Sequence, residues 1–114
     1  MIKKNIIQDY NKNGVVVLRD IVPKKWINIL KRGLKKNFQN PSKYKCVYER
    51  NNKKELFYDD YCNWNKIEEY KNFIFQSNIG KLAQELMQSK KVNVFHEHVL
   101  VKEIGSKKRT PWHQ

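Results

Sequence analysis

Between residues 92 and 103 the chain alternates as an extended strand does. Val94, His96, His98, Leu100 and Lys102 fall on one side, and Phe95, Glu97, Val99, Val101 and Glu103 on the other. A strand of this length needs partners for its backbone groups, so the chain must build a sheet around it. Two imidazoles and an ammonium that share a side with Val94 and Leu100 are expected to line a cavity.

The rest of the chain supplies mixed partners for that strand. Residues 14–22 are a second strand candidate, with Val15, Val16, Val17 and Leu18 following Asn13-Gly14. Pro23 then suits a first helical position, where its missing N–H costs nothing. From 26 to 38, Trp26, Ile27, Leu30, Leu34 and Phe38 recur at helical spacing and lysines and arginine fill the remaining positions, which predicts an amphipathic helix. A support helix with a solvated basic face is favoured over one lying on an acidic membrane. Asn40-Pro41-Ser42 ends this unit. Residues 44–62 mix Tyr44, Tyr48, Phe57, Tyr58 and Tyr61 with Glu49, Arg50, Asp59 and Asp60 without a clean period, and read as a loop with short extended pieces. Trp64, Ile67, Tyr70 and Ile74 predict a helix capped by Asn63 or Asn65. A further helix starts at Ser77 or Asn78 and carries Ile79, Leu82, Ala83, Leu86 and Met87 on one stripe. The expected class is α+β in a single domain, without repeats or a linker.

Composition narrows the partners. The formal charge of +13 suits nucleic acid in principle, but 20 lysines stand against 4 arginines, scattered over every segment with no arginine-aromatic cluster for base readout. No nucleic-acid partner is expected. No apolar run approaches a membrane span, and Met1-Ile2-Lys3-Lys4-Asn5 lacks the apolar run of a secretory signal, so a soluble cytoplasmic protein with no membrane partner is expected. Cys46 and Cys62 form no close metal-type pair and are expected as free thiols.

Chemistry concentrates after residue 92. A His and a carboxylate two residues apart on a strand share a face and can hold two sites on one metal. With a distant His they form the facial triad of non-haem Fe(II) oxygenases, which leaves three positions open. In Thr110-Pro111-Trp112-His113-Gln114 only His113 of such a set is present, and an acidic residue immediately after Gln114 would complete the pair. The alternative for His113 is an ordinary surface histidine.

Residues 92–114 resemble the phytanoyl-CoA dioxygenase family of Fe(II)- and 2-oxoglutarate-dependent oxygenases. Members carry an aromatic, an acid, a His, aliphatics and Val-Lys-Glu-Pro-Gly, then a polar loop and Thr-Pro-Trp-His-Gln-Asp. The likeness continues upstream through 14–18, Trp64 and 79–89, yet it covers less than half of a family domain. Ile104 stands where the family has Pro, and Glu97 where it has Asp. The resemblance implies the helical support and first strands of a double-stranded β-helix (jelly-roll, cupin-like barrel), truncated and needing its C-terminal half. It further implies Fe(II), 2-oxoglutarate as co-substrate, dioxygen, and hydroxylation of a small organic substrate. His113 is then an iron ligand, held by Pro111 and Trp112, and His98 and Lys102 help to bind 2-oxoglutarate. A chain lacking the remaining ligands is expected to be inactive alone. For Lys102 the alternative is a strand-end lysine reaching water.

A second metal reading uses this strand alone. His96, His98 and Glu103 have the spacing of the first cupin motif, in which two His and a Glu bind one metal. No Gly precedes His96 at the cupin distance, and strict alternation puts Glu103 on the opposite face unless a bulge intervenes. Oxygenase, cupin-type metal protein and basic binding module are the classes carried forward.

Overall fold

Residues 2–51 and 55–110 are described by the computed structural model, and among them four helices and a three-stranded antiparallel sheet give an α+β architecture. Helix α1 spans Lys4–Asn13, with Ile6, Ile7 and Tyr10 half-buried on one side. Its approach to the fourth helix is fixed by the Ile2 N–H donating to Glu85 Oε2 at 2.7 Å and the Asn11 amide donating to Gln88 at 3.2 Å.

The expected strand at 14–22 does not form. Gly14 instead closes α1, adopting φ 70° while its N–H donates to the Tyr10 carbonyl at 2.8 Å. Glycine enters that left-handed region without a Cβ clash. Val15 and Val17 stay 67% and 69% exposed. A β-branched run makes a strand only where a neighbouring strand and a covering surface are present, and among the described residues neither meets this run.

Helix α2 spans Lys24–Gln39, as its periodicity predicts, with Pro23 at the N-cap. Its buried line is rotated from the expected stripe. Trp26, Gly33 and Asn37 face the core, while Ile27 and Phe38 are exposed. Gly33 is there because helix α3 (Glu68–Gln76) crosses too closely for a side chain: a Cβ at Gly33 would stand 2.7 Å from a ring carbon of Tyr70. The edge-to-face pair Trp26–Phe73, centroids 5.9 Å apart, and the Lys36–Glu69 ion pair at 2.6 Å close the same interface. Burial pulls the Glu69 carboxyl up, but the bond from Lys36 outweighs it and holds that group below its usual range.

Residues 44–62, expected as a loop with short extended pieces, contain two paired strands: β1 (Cys46–Asn51) and β2 (Glu55–Tyr61). The third strand, β3 (His98–Lys102), pairs on the other side of β2, giving the order β1-β2-β3. The long strand expected over 92–103 is therefore confined to its last part. β2 ends at Tyr61, and Cys62 turns away with φ 60°, so among the described residues those just before 98 have no strand to pair with. The Cys62 N–H still reaches the Glu97 carbonyl, at 3.4 Å, and the Asn63 N–H donates to the Glu97 carboxylate. Both cysteines are free thiols.

The predicted helices after Trp64 and Ser77 are present as α3 and as α4 (Ile79–Leu86), but neither Asn63 nor Asn65 caps with its side chain. The Asn63 carbonyl accepts from Lys66 and Ile67 in a preceding turn, and its amide is committed elsewhere. That commitment is the buried polar knot on the helix side of the sheet. Asp60, fully buried, accepts from Asn37 at 2.8 Å, from the Tyr58 hydroxyl and Ser42 N–H at 3.0 Å each, and from the Ser42 hydroxyl. The Asn63 amide donates to Asn37 and to the Asn40 carbonyl. Burial pushes the Asp60 carboxyl up, yet the bonds from Ser42, Asn37 and Tyr58 together hold it below the ordinary carboxylate range. The knot ties the end of α2, the turn at 40–42 and the centre of the sheet. No helix among the described residues is long and apolar enough to cross a membrane.

Candidate functional site

Neighbouring residues of β2 look in opposite directions, so Asp60 faces the helices and Asp59 the other side of the sheet. The register pairs Tyr61 with His98, Asp59 with Leu100 and Phe57 with Lys102, which puts all six on that outer face. His98 and Lys102 therefore share a face, as their spacing predicts. His98 Nε2 is in direct contact with the Asp59 carboxylate. Asp59 is buried to 8% exposure, whereas the His98 side chain is half exposed.

Strand β1 completes this face through a bulge. Its register shifts between Val47 and Glu49, so Tyr48 is an extra residue, and a bulge lets two consecutive side chains emerge on one side. Tyr48 packs on Phe57 with centroids 4.9 Å apart and donates its hydroxyl to Asp59 at 3.1 Å. That bond, with partial burial, raises the Tyr48 phenol above its ordinary pKa. Glu49 anchors the segment that follows β3. It accepts from the Ser106 hydroxyl at 2.6 Å and from the Lys107 and Lys108 N–H groups at 2.9 and 3.0 Å. The Lys108 N–H and the Ser106 hydroxyl hold its carboxyl below the usual value. Gly105, at φ 96°, makes the turn that brings this segment back over the sheet.

The returning segment roofs a cavity of about 420 Å³ lined by Tyr48, Asp59, His98, Lys108 and Arg109 together with Phe57, Leu100 and Thr110. Of the residues expected to meet a co-substrate, His98 lines this cavity. Lys102 stands beside it, its ammonium 5.3 Å above the Phe57 ring. His113 lies outside the described residues. The cupin set does not assemble. The ring of His96 lies 6.1 Å from that of His98, but Glu103 bonds the Leu56 N–H at the opposite end of β3. Among the described residues no three His, Cys, Asp or Glu side chains are grouped to hold a metal.

Sequence reasoning missed Asp59, Tyr48, Lys108 and Arg109. A signal for the first was present in Phe57-Tyr58-Asp59-Asp60-Tyr61, where two acids embedded among aromatics are costly unless each has its own partner. A second concavity, about 440 Å³, lies along the outer edge of β3 against α2 and α3. Its walls include Ile27, Leu30, Leu34, Phe73 and Ile74, which is where much of the predicted α2 stripe is spent. Comparison with protein-family models, with curated proteins and with solved structures finds no match to this chain.

Proposed function

We propose that the chain supplies the helical support and first strands of a double-stranded β-helix in an Fe(II)- and 2-oxoglutarate-dependent oxygenase that hydroxylates a small organic substrate. The observation that carries this reading is the register of β2 and β3. It sets His98 and Lys102 on the sheet face opposite the helices, the face that would look into a barrel. The helices cover the other face through the Asp60 knot and the Phe38–Tyr58 ring contact.

The described residues fit the co-substrate. Lys102, Lys108 and Arg109 give this face the positive charge that a dicarboxylate needs, and Asp59 is already engaged by His98. Lys102 would offer charge to a carboxylate, with His98 beside it in the same row. For iron the expected ligand is His113, with an acid and a second His supplied by the remainder of the barrel. Bound iron would supply the activation of dioxygen that hydroxylation requires. The chain's own residues hold, orient and charge-match what enters.

The test is 2-oxoglutarate-dependent succinate formation by these 114 residues joined to those that follow them in the gene. Turnover is expected there, lost in His113→Ala, and absent from residues 1–114 alone, because one imidazole does not hold Fe(II) in a catalytic geometry. Turnover by residues 1–114 alone would refute this, as would a coding sequence in which no acidic residue follows Gln114.

A further inference from the structure

The concavity of about 440 Å³ along the edge of β3 holds two buried polar atoms with nothing to bond. Tyr70, 6% exposed, lines it, and among the described residues its hydroxyl has no hydrogen-bond partner. Glu97 lines it too. One oxygen of that carboxylate accepts from the Asn63 N–H, while the other is buried and unpartnered. Native folds seldom leave such groups unmet, because burial strips each of its water without a replacement. After burial itself, Glu97 does most to push the Tyr70 phenol up, so the phenol keeps its hydrogen at neutral pH.

A phenol needs an acceptor for that hydrogen, and a carboxylate oxygen needs a donor. A hydroxyl is both. The match does not depend on whether Glu97 carries a hydrogen, because a hydroxyl oxygen accepts twice. A hydrocarbon would leave both atoms unmet, and a ligand carboxylate would bring only acceptors. Around the two atoms Leu30, Leu34, Ile74, Val99 and Val101 give apolar walls, and exposed Lys31 borders them. Val99 and Val101 pair with Asp60 and Tyr58, so this is the helix side of the sheet.

We propose that this cavity is a binding site for a small aliphatic alcohol, with its hydroxyl between Tyr70 and Glu97 and its chain along Leu30, Leu34, Ile74 and Val99. Lys102, Lys108 and Arg109, the cations assigned to 2-oxoglutarate, lie outside its lining. The alcohol site and the oxygenase reading therefore stand or fall separately.

The experiment is methyl NMR on the whole chain, titrated with 1-hexanol, its isomer methyl pentyl ether, and hexanoate. Hexanol should shift the methyl signals of Leu34, Ile74 and Val99. The ether, which has no hydrogen to give, and hexanoate should each bind about tenfold more weakly, as for one lost hydrogen bond. Shortening the alcohol to 1-pentanol should weaken it about fourfold, as for one buried methylene. Glu97→Gln, whose amide keeps an oxygen for Asn63 and turns a donor to the cavity, should remove the preference for the alcohol over the ether. Tyr70→Phe should weaken both alike and, without ligand, unfold at no lower urea concentration than the parent, because the hydroxyl it removes is unpaired. Leu30→Trp, at a half-buried wall position, should block every probe whatever the other variants do to the fold. A clearly lower urea midpoint for Tyr70→Phe would show that its hydroxyl already has a partner and would overturn the assignment. So would equal binding of alcohol and ether, tighter binding of hexanoate, or shifts that follow protein rather than probe concentration, since a second copy would then fill the cavity.

Discussion

Replacing Asp60 by Ala tests the central claim about how the fold is held. The fully buried carboxylate accepts from Asn37, Tyr58 and both polar groups of Ser42. Removing it leaves the Asn37 amide and the Tyr58 hydroxyl as the two deeply buried donors, since Ser42 is half-buried and water can reach it. Each buried donor left unpaired costs about 1–3 kcal/mol. The Asn37 amide keeps a bond to the Tyr58 oxygen at 3.0 Å, which trims its share. The sum is about 2–5 kcal/mol. Against a total of roughly 5–15 kcal/mol this brings the chain close to unfolding. In urea, with a slope of about 1–3 kcal/mol per molar, the midpoint should fall by roughly 2 M. Because the folded-state carboxyl is held below its unfolded value, its contribution is present at neutral pH and fades as pH drops through that lowered value. Asp60→Asn should therefore flatten the acid limb of the stability profile. An Asp60→Ala midpoint within about 1 kcal/mol of the parent, or an unchanged acid limb, would show that the knot does not hold the fold.

Other outcomes follow from single contacts. Gly33→Ala, which in an open helix gains about 1 kcal/mol, should here lose about 1–2 kcal/mol because the new Cβ meets the buried Tyr70 ring; in a Tyr70→Leu background chemical denaturation should show the sign reversed. Burial, with the bond to Asp60, pushes the Tyr58 phenol up to about 12. Its contribution is complete below pH ~10 and lost as pH rises toward that value, so Tyr58→Phe should blunt alkaline unfolding followed by tyrosinate absorbance. Glu49→Ala should speed amide exchange at Lys107 and Lys108 while barely moving the thermal midpoint; exchange unchanged from the parent would show that the roof is held by something else.

The helices were legible because their apolar residues recur with one period and one face is solvated. α2 and α4 appear where spacing puts them. β2 was not, because Phe57, Tyr58, Asp59 and Asp60 are all buried in sequence. A strand covered on both faces, with a different carboxylate paired on each, shows neither alternation nor a continuous apolar run. Local propensity alone also misplaced Gly14, whose left-handed turn ends a helix where a strand was expected to begin. Within the site, the shared side of His98 and Lys102 was readable from period 2 alone. Asp59, Lys108 and Arg109 arrive there through a long-range pairing and a returning segment, neither of which leaves a local pattern.

The adjacent carboxylates of β2 also bear on how the sheet finds its alignment. A strand that slips by one residue exchanges its two faces. In β2 such a slip would turn Asp59 toward Asn37 and Ser42 and send Asp60 out toward His98, with Tyr58 leaving the helix side as well. Two like residues in tandem tolerate the exchange only where their partners are alike, and here these differ in kind: a ring of neutral donors on one side and an imidazole on the other. The aromatic neighbours break the remaining symmetry, because Phe57 has no hydroxyl to give to the knot and Tyr58 does. The pair thus works as a key cut on both edges: a sheet shifted by one residue forfeits the partners of both carboxylates.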